Sequence, residues 1–330
     1  MQKYFKVILN PRFCYLAPRN SIHTSMGAEI SSSLRGKLRF IHPKFFYDKK
    51  GSELFEEICS LPEYYLTRSE MEILDSIGLE LSQFLVQDYA LIELGSGSAK
   101  KTRRLLEALI GRQETVEYYP IDISNVLKES SASLQRDYKN LKITGILDQY
   151  ENGLDFIKSL EGKKLIAFLG SSLGNFNNKS AIRFLNKVHD VMRTGDLFLL
   201  GLDLIKDKRI LESAYNDSQG VTGRFNLNLL TRINKELYGN FDLENFDHVA
   251  FYNSKHSRIE MHLRSKCEQE ISISKINLSI ILKKSETILT EYSYKYTIPQ
   301  IEQIASKVGF KIEKIWYDKN KFFSLVLFSV

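Results

Sequence analysis

The chain has 330 residues, 43% of them hydrophobic and 26% charged. These proportions are those of a folded globular protein and exclude a disordered or collagen-like chain. The formal charge of +6 is local: the first 28 residues carry Lys3, Lys6, Arg12 and Arg19 and no acid, and the remainder holds 42 basic against 40 acidic side chains. A near-neutral body lacks the basic face expected of a nucleic-acid-binding protein.

No apolar run approaches the roughly 18 residues of a membrane span. The first 28 residues lack the compact apolar stretch of a secretory signal. With Ser21, Thr24 and Ser25 they have the composition of an organellar transit peptide. A loose extension, or an upstream start with Met26 as the working one, fits them equally. Cys14, Cys59 and Cys267 are scattered and form no CxxC pair, which suits a reducing, cytoplasmic setting and offers no disulfide framework or zinc site. The six histidines contain no HxxxH pair, so a metal is not expected.

Residues 29–85 read as helices. In Gly51–Ser60, Leu54, Phe55 and Ile58 fall at helical spacing with Ser52 as a candidate cap, Pro62 interrupts, and Thr67 can cap a helix from Arg68 to Leu85. Short apolar strands then alternate with helices. Strands are expected at Tyr89–Leu94, Glu117–Ile121, Leu141–Leu147, Lys164–Leu169 and Leu197–Leu202, with helices running to Leu109 and over Lys179–Met192. That order predicts a parallel α/β sheet with right-handed crossovers. From about 206 to 295 the alternation stops and reads as α+β: helices Lys208–Tyr215 and Arg224–Leu237 precede strands His248–Asn253, Arg258–Lys266, Gln269–Ser274 and Glu286–Tyr296. A last helix, Pro299–Val308, and two strands, Phe310–Tyr317 and Phe322–Phe328, complete the first sheet, which makes 206–295 an insertion.

The run Glu93-Leu-Gly95-Ser-Gly97-Ser follows a buried strand and opens a helix, and Asp122 ends the next strand 27 residues after Gly95. Glycines permit a tight turn and close backbone approach to a ligand, and the acid can accept two ribose hydroxyls. Lys100 stands where a dinucleotide fingerprint requires its third glycine, and no P-loop is present. The form E-x-G-x-G with an acid on the second strand is that of class I S-adenosylmethionine (SAM)-dependent methyltransferases; the alternative is a plain turn beside a solvated acid. A second loop, Gly170-Ser-Ser-Leu-Gly174-Asn175, leaves the fourth strand at the same edge, and its asparagine suits either a ligand carboxylate or a helix cap. Alternation places Glu291, Ser293 and Lys295 on one face of their strand, a solvated face or the polar wall of a pocket.

The segments 45–74 (FFYDKKGSELFEEICSLPEYYLTRSEMEIL), 92–106, 168–176, 215–234, 258–265 and 289–296 (LTEYSYKY) together resemble the SAM-dependent histidine Nα-methyltransferases of ergothioneine biosynthesis over about residues 30–330. The resemblance implies a class I methyltransferase domain (68–205 and 296–330), a substrate-binding domain (29–67 and 206–295) and a basic extension (1–28). It implies that Gly95, Lys101, Asp122, Asp148 and Gln149 bind SAM, with the 145–150 segment aligned to within a residue or two. Asn175 and Tyr215 would then grip the substrate carboxylate. Tyr64, Glu291, Ser293 and Met261 would surround the imidazole, and Tyr47 and the Gly170 backbone would lie near the reacting amine.

These readings predict a monomeric enzyme that trimethylates the α-amine of L-histidine to hercynine, with SAM as cofactor and no metal, nucleic-acid or membrane partner. A family member acting on a prenylated tryptophan, a nicotinamide-dependent oxidoreductase and a non-catalytic SAM or amino-acid sensor are the competing readings. Retention of Met261 with Glu291 favours the small, polar imidazole. Deleting the first 28 residues is expected to leave both ligands bound.

Overall fold

The computed structural model describes residues 3–19, 26–124 and 126–330. In chain order the main elements are β1 (Tyr4–Asn10), β2 (Phe13–Pro18), α1 (Met26–Arg35), α2 (Lys49–Ser60), α3 (Tyr65–Phe84), β3 (Tyr89–Leu94), α4 (Lys100–Ile110), β4 (Val116–Asp122), α5 (Val126–Asp137) and β5 (Leu141–Leu147). They continue with α6 (Tyr150–Ile157), β6 (Lys163–Phe168), α7 (Asn178–Val191), β7 (Leu197–Asp203), α8 (Lys208–Ser213), α9 (Val221–Leu237), β8 (Phe246–Asn253), β9 (Arg258–Ser265), β10 (Gln269–Ile273), β11 (Leu278–Leu282), β12 (Thr287–Tyr294), α10 (Ile298–Val308), β13 (Lys311–Tyr317) and β14 (Phe323–Ser329). The chain divides into two compact units: Met1–Asn20, Leu66–Leu204 and Tyr296–Val330, and Ser21–Tyr65 with Ile205–Lys295.

The first unit is built on a nine-stranded sheet of order β1-β2-β5-β4-β3-β6-β7-β14-β13. The strands from β2 to β7 run parallel, and β1, β14 and β13 join antiparallel. Strands buried on both faces read as continuous apolar runs, and every residue of Leu197–Asp203 is buried. Helix α4 turns Leu105, Leu106 and Leu109 inward at helical spacing. A capping box between Thr297 and Gln300 starts α10, and Gly309 in the left-handed region ends it. The predicted class I fold, a Rossmann-like parallel sheet completed by the C-terminal hairpin, is therefore the observed one.

Of the readings open for the basic N-terminal segment, the loose extension does not fit residues 4–18. Residues 4–18 form a hairpin whose second strand pairs with β5, which puts β1 at the end of the sheet order. The cause is local: Phe13, Cys14 and Leu16 bury themselves against the sheet, and the Arg12 guanidinium caps the Tyr138 and Lys139 carbonyls. Ser21, Thr24 and Ser25 lie outside the described residues.

The second unit contains a three-stranded antiparallel sheet, β12-β9-β8, and a two-stranded one, β10-β11. Strand β11 has no counterpart among the predicted strands. Helix α2 starts at Lys49 rather than at the expected Ser52 cap: Asp48 accepts from the Gly51 N–H (2.7 Å) and from the Asn228 amide (2.9 Å). Gly51 is required there, because a Cβ would lie 1.7 Å from the Phe46 carbonyl oxygen. Thr67 is likewise not a cap, since α3 begins at Tyr65.

At the amino ends of β6 and β7 the Lys164 ammonium meets the Asp196 carboxylate at 2.9 Å, both fully buried. Asp196 also accepts from the Lys164 and Arg193 N–H groups. Truncating one partner strands the other charge. Asp196→Ala is expected to cost about 3–5 kcal/mol, seen as a lower urea midpoint.

Candidate active site

In the first unit, β3 ends at Leu94 and the chain turns through Gly95 (φ 79°), Gly97 (φ 48°) and Ala99 (φ 58°) into α4. The Gly95 N–H donates to the Ile121 carbonyl at 2.8 Å, which ties the turn to β4. A Cβ at Gly97 would meet nothing within 4 Å, so the turn is open there, and α4 has no side-chain cap. Asp122, at the tip of β4, accepts from the Ser124 N–H (2.8 Å) and the Gly97 N–H (3.3 Å). Burial raises its carboxyl above the ordinary value, and these hydrogen bonds oppose the shift. Glu93 lies beneath the turn with its carboxylate taking the Thr102 and Tyr118 hydroxyls, each at 2.6 Å. Its burial pushes the carboxyl up to about 7.

Asp148 follows β5 and is buried. It accepts from the Gln149 N–H (2.7 Å), the Asn152 amide (2.9 Å) and the Tyr4 hydroxyl (2.9 Å). Gln149 occupies the N-cap position of α6, and Tyr150 leans back over the glycine turn: its hydroxyl is 2.8 Å from where a Cβ on Gly95 would stand. Gly95, Asp122, Asp148 and Gln149 thus gather at one sheet edge.

At the end of β6, Gly170 (φ 72°) and Ser171 (φ 56°) turn the chain into a short helical turn ending at Asn175. Asn175 is half-buried and is not a helix cap; that role falls to Asn177, which accepts from the Ser180 N–H at 2.9 Å. Both carboxylate oxygens of Glu70 receive the Gly170 N–H at 2.9 Å, and Glu70 pairs with the Lys101 ammonium at 2.6 Å. Lys101 and Gly170 are thereby joined through a fully buried acid. The sequence reading did not single out Glu70, because one glutamate in an amphipathic helix carries no spacing signal.

The second unit brings together Tyr47, Tyr64, Tyr215, Met261, Glu291 and Ser293. A β-bulge in β12 between Leu289 and Glu291 sets Glu291 opposite Met261, and Ser293 opposite Ile259. Ser293 and Lys295 are buried, so this is not a solvated face. The Tyr215 hydroxyl donates to Ser293 Oγ at 2.8 Å, and the Lys295 ammonium donates to both, at 3.1 and 2.9 Å. His248 holds the Tyr215 carbonyl through Nε2 (2.8 Å) while Nδ1 meets the Asn226 amide (2.9 Å). Burial lowers the His248 pKa, so it acts as a neutral strut.

The Tyr64 ring sits edge-on to Tyr215, with Phe55 beside it, and Tyr47 packs on Phe55 and Phe225. Among the described residues the half-buried Glu291 carboxylate has no hydrogen-bond or ion-pair partner. Desolvation pushes its carboxyl up to about 7, against the pull of Lys295.

A parallel sheet whose first β/α turn carries two left-handed glycines, with an acid on the neighbouring strand, defines a class I SAM-dependent methyltransferase. The chain belongs to the family described as histidine-specific methyltransferase, SAM-dependent, whose model matches residues 26–330. It is 38% identical over 306 residues to a histidine N-alpha-methyltransferase of Mycobacterium tuberculosis, covering 92% of this chain and 95% of that protein. The corresponding protein of Mycolicibacterium smegmatis is 36% identical over 314 residues, 95% of this chain and 97% of that one. Ergothioneine biosynthesis protein 1 of Neurospora crassa is 31% identical over 324 residues, which cover 92% of this chain and 35% of that protein.

Two predictions follow from the geometry. Gly95→Ala forces an alanine to φ 79° and into the Tyr150 hydroxyl. It should lose about 1–2 kcal/mol of stability, part of which Tyr150→Phe restores, as read from denaturant unfolding. For Glu291, the unfolded carboxyl titrates at 4.5 and the folded one at about 7. Between those values the folded chain keeps a proton that the unfolded chain has released, so stability falls as pH rises and the penalty is complete above about 7. Glu291→Gln should therefore melt higher than the parent at pH 8, and the gain should vanish by pH 4 in scanning calorimetry.

Proposed function

We propose that this protein transfers methyl groups from SAM to the α-amine of L-histidine, three in succession, giving hercynine for ergothioneine formation. The observation that carries the reading is the half-buried Glu291 carboxylate, raised in pKa by partial desolvation, without a hydrogen bond among the described residues, and set across from buried Met261. An imidazole N–H supplies the donor this carboxylate lacks. An indole ring is larger and would crowd the Met261 side.

The first unit has the groups to hold the cofactor. The open turn at Gly97 admits a ligand beside the backbone, and the Asp122 carboxylate can accept two ribose hydroxyls. We assign Asp148 and Gln149 to the adenine, Gly95 to close backbone approach, and Lys101 to the methionine end of the cofactor. Bound SAM supplies an electrophilic methyl on a sulfonium, and its transfer is an in-line displacement governed by position.

The second unit supplies the recognition of histidine. Glu291 accepts from the imidazole, and Tyr64 and Ser293 border it. Tyr215, whose hydroxyl is held by Ser293 and Lys295, is assigned to the substrate carboxylate, as is Asn175 of the first unit. The amine must be neutral to attack. Its proton leaves to water or to a tyrosine, Tyr47 being our choice, and the Gly170 backbone is assigned to the amine as well. We also read the protein as a cytoplasmic monomer. The three cysteines form no disulfide, which suits a reducing compartment, and no helix among the described residues is long and apolar enough to cross a membrane.

Incubation with SAM and each proteinogenic amino acid, followed by mass spectrometry, should show a gain of three methyl groups on histidine. A gain on tryptophan alone would replace the substrate, and no gain on any would turn the reading into a sensor. Glu291→Ala should raise KM for histidine about 10- to 100-fold, the worth of a hydrogen bond to a charged group, with little change in KM for SAM. An equal rise in both would remove Glu291 from the histidine site.

A further inference from the structure

The N-terminal hairpin lies outside the region matched by the family model, which begins at residue 26. It nevertheless reaches the edge of the sheet where the cofactor residues gather. Strand β2 pairs in parallel with β5, from Phe13 opposite Ile143 to Leu16 opposite Ile146. Asn10 and Gln135 exchange amide hydrogen bonds at 2.7 and 3.1 Å, which fixes the hairpin against α5. This docking sets Tyr4, at the start of β1, beside the turn that follows β5.

Tyr4 is 7% exposed, the most buried residue of an otherwise largely exposed strand. Its ring packs edge-on to Phe156 of α6, and its hydroxyl reaches Asp148 Oδ2 at 2.9 Å and the Asn152 carbonyl at 3.2 Å. Lys3 adds a hydrogen bond to the Asn152 side chain at 2.9 Å. Burial and the adjacent Asp148 hold the Tyr4 phenol above its usual range, so it remains a donor. The other carboxylate oxygen of Asp148 is held by the Gln149 N–H and the Asn152 amide. Both oxygens are therefore pinned, one by the turn itself and one by the hairpin. Two residues on, Tyr150 lies against Gly95, so the orientation of this turn bears on the glycine loop.

We propose that Tyr4 is a positioning residue of the cofactor site, and that residues 3–19 hold the Asp148 carboxylate in the orientation that receives the adenine amino group of a nucleoside sulfonium. This rests on the assignment of Asp148 to the adenine. A carboxylate fixed in advance pays no ordering cost when the ligand arrives. The hairpin is thus part of the binding apparatus, contrary to the expectation that its deletion is silent.

The test uses the full chain and S-adenosylhomocysteine, titrated by calorimetry without turnover, alongside its 6-oxo (inosyl) analogue, whose base presents an acceptor in place of the amino donor. Tyr4→Phe removes only the hydroxyl. It should weaken S-adenosylhomocysteine about fivefold, the worth of one net hydrogen bond, narrow the preference for the adenosyl over the inosyl ligand, and leave KM for histidine unchanged. Added to Asp148→Asn, it should cause no further loss. A Tyr4→Phe protein that binds like the parent while Asp148→Asn binds poorly overturns the positioning role. So does a loss that adds in full to that of Asp148→Asn, or one equal for both ligands, which would make Tyr4 a general structural prop. If Asp148→Asn itself binds like the parent, it is the adenine assignment that fails.

Discussion

The cofactor side of this protein depends on the parallel register around β3. Leu94 pairs with Ile121, and Ile121 with Ile146, so three strands reach their carboxyl ends at one level. Gly95 and Asp122 come next, with Asp148 one residue past Leu147, the partner of Asp122, so the three leave the sheet side by side. On the other flank Glu93 pairs with Ala167, which brings the Gly170 turn to the same edge. Chain order reverses between β3 and β6, and a parallel sheet opens a crevice at such a point. None of these groups is near another in sequence, and slipping one strand by a single residue would turn its side chains to the opposite face.

Two glutamates with similarly raised pKa values illustrate what burial is used for. Glu93 receives two hydroxyls on one carboxylate oxygen and ties α4 to the strands beneath it, a structural task. Glu291 is half-buried, its carboxyl is raised mainly by desolvation, and among the described residues it receives no hydrogen bond. An unsatisfied desolvated carboxylate is costly in the free protein, and a ligand that supplies a donor recovers that cost. The difference between a strut and a binding group here lies in the neighbours, since the residue type and the pKa direction are the same.

Buried side chains act through intermediaries elsewhere as well. Glu70 links Lys101 to the Gly170 N–H, and Lys295 steadies the Tyr215 and Ser293 hydroxyls while His248 holds the Tyr215 backbone. These groups do not need to touch a ligand to matter. They set the direction in which the contacting atoms point.

Read alone, the sequence determined the alternating strands and helices, the glycine turn with its acid, and the polar alternation at 291–295. Each of these is a periodicity or a local backbone requirement, which is information carried by neighbouring residues. It put the cap of α2 on Ser52, whereas Asp48 takes that role through the Gly51 N–H, and Asn228, 180 positions away, adds a second bond that only the fold supplies. It did not single out Glu70, whose partners come from other elements of the fold, and it left the 291–295 face open between solvent and a pocket wall. It left the first residues open between a loose extension, an upstream start and a targeting segment. Only the tertiary structure decided that they form an edge hairpin bonded to Asp148, because a strand's partner and a carboxylate's donor are matters of what the fold brings within 3 Å.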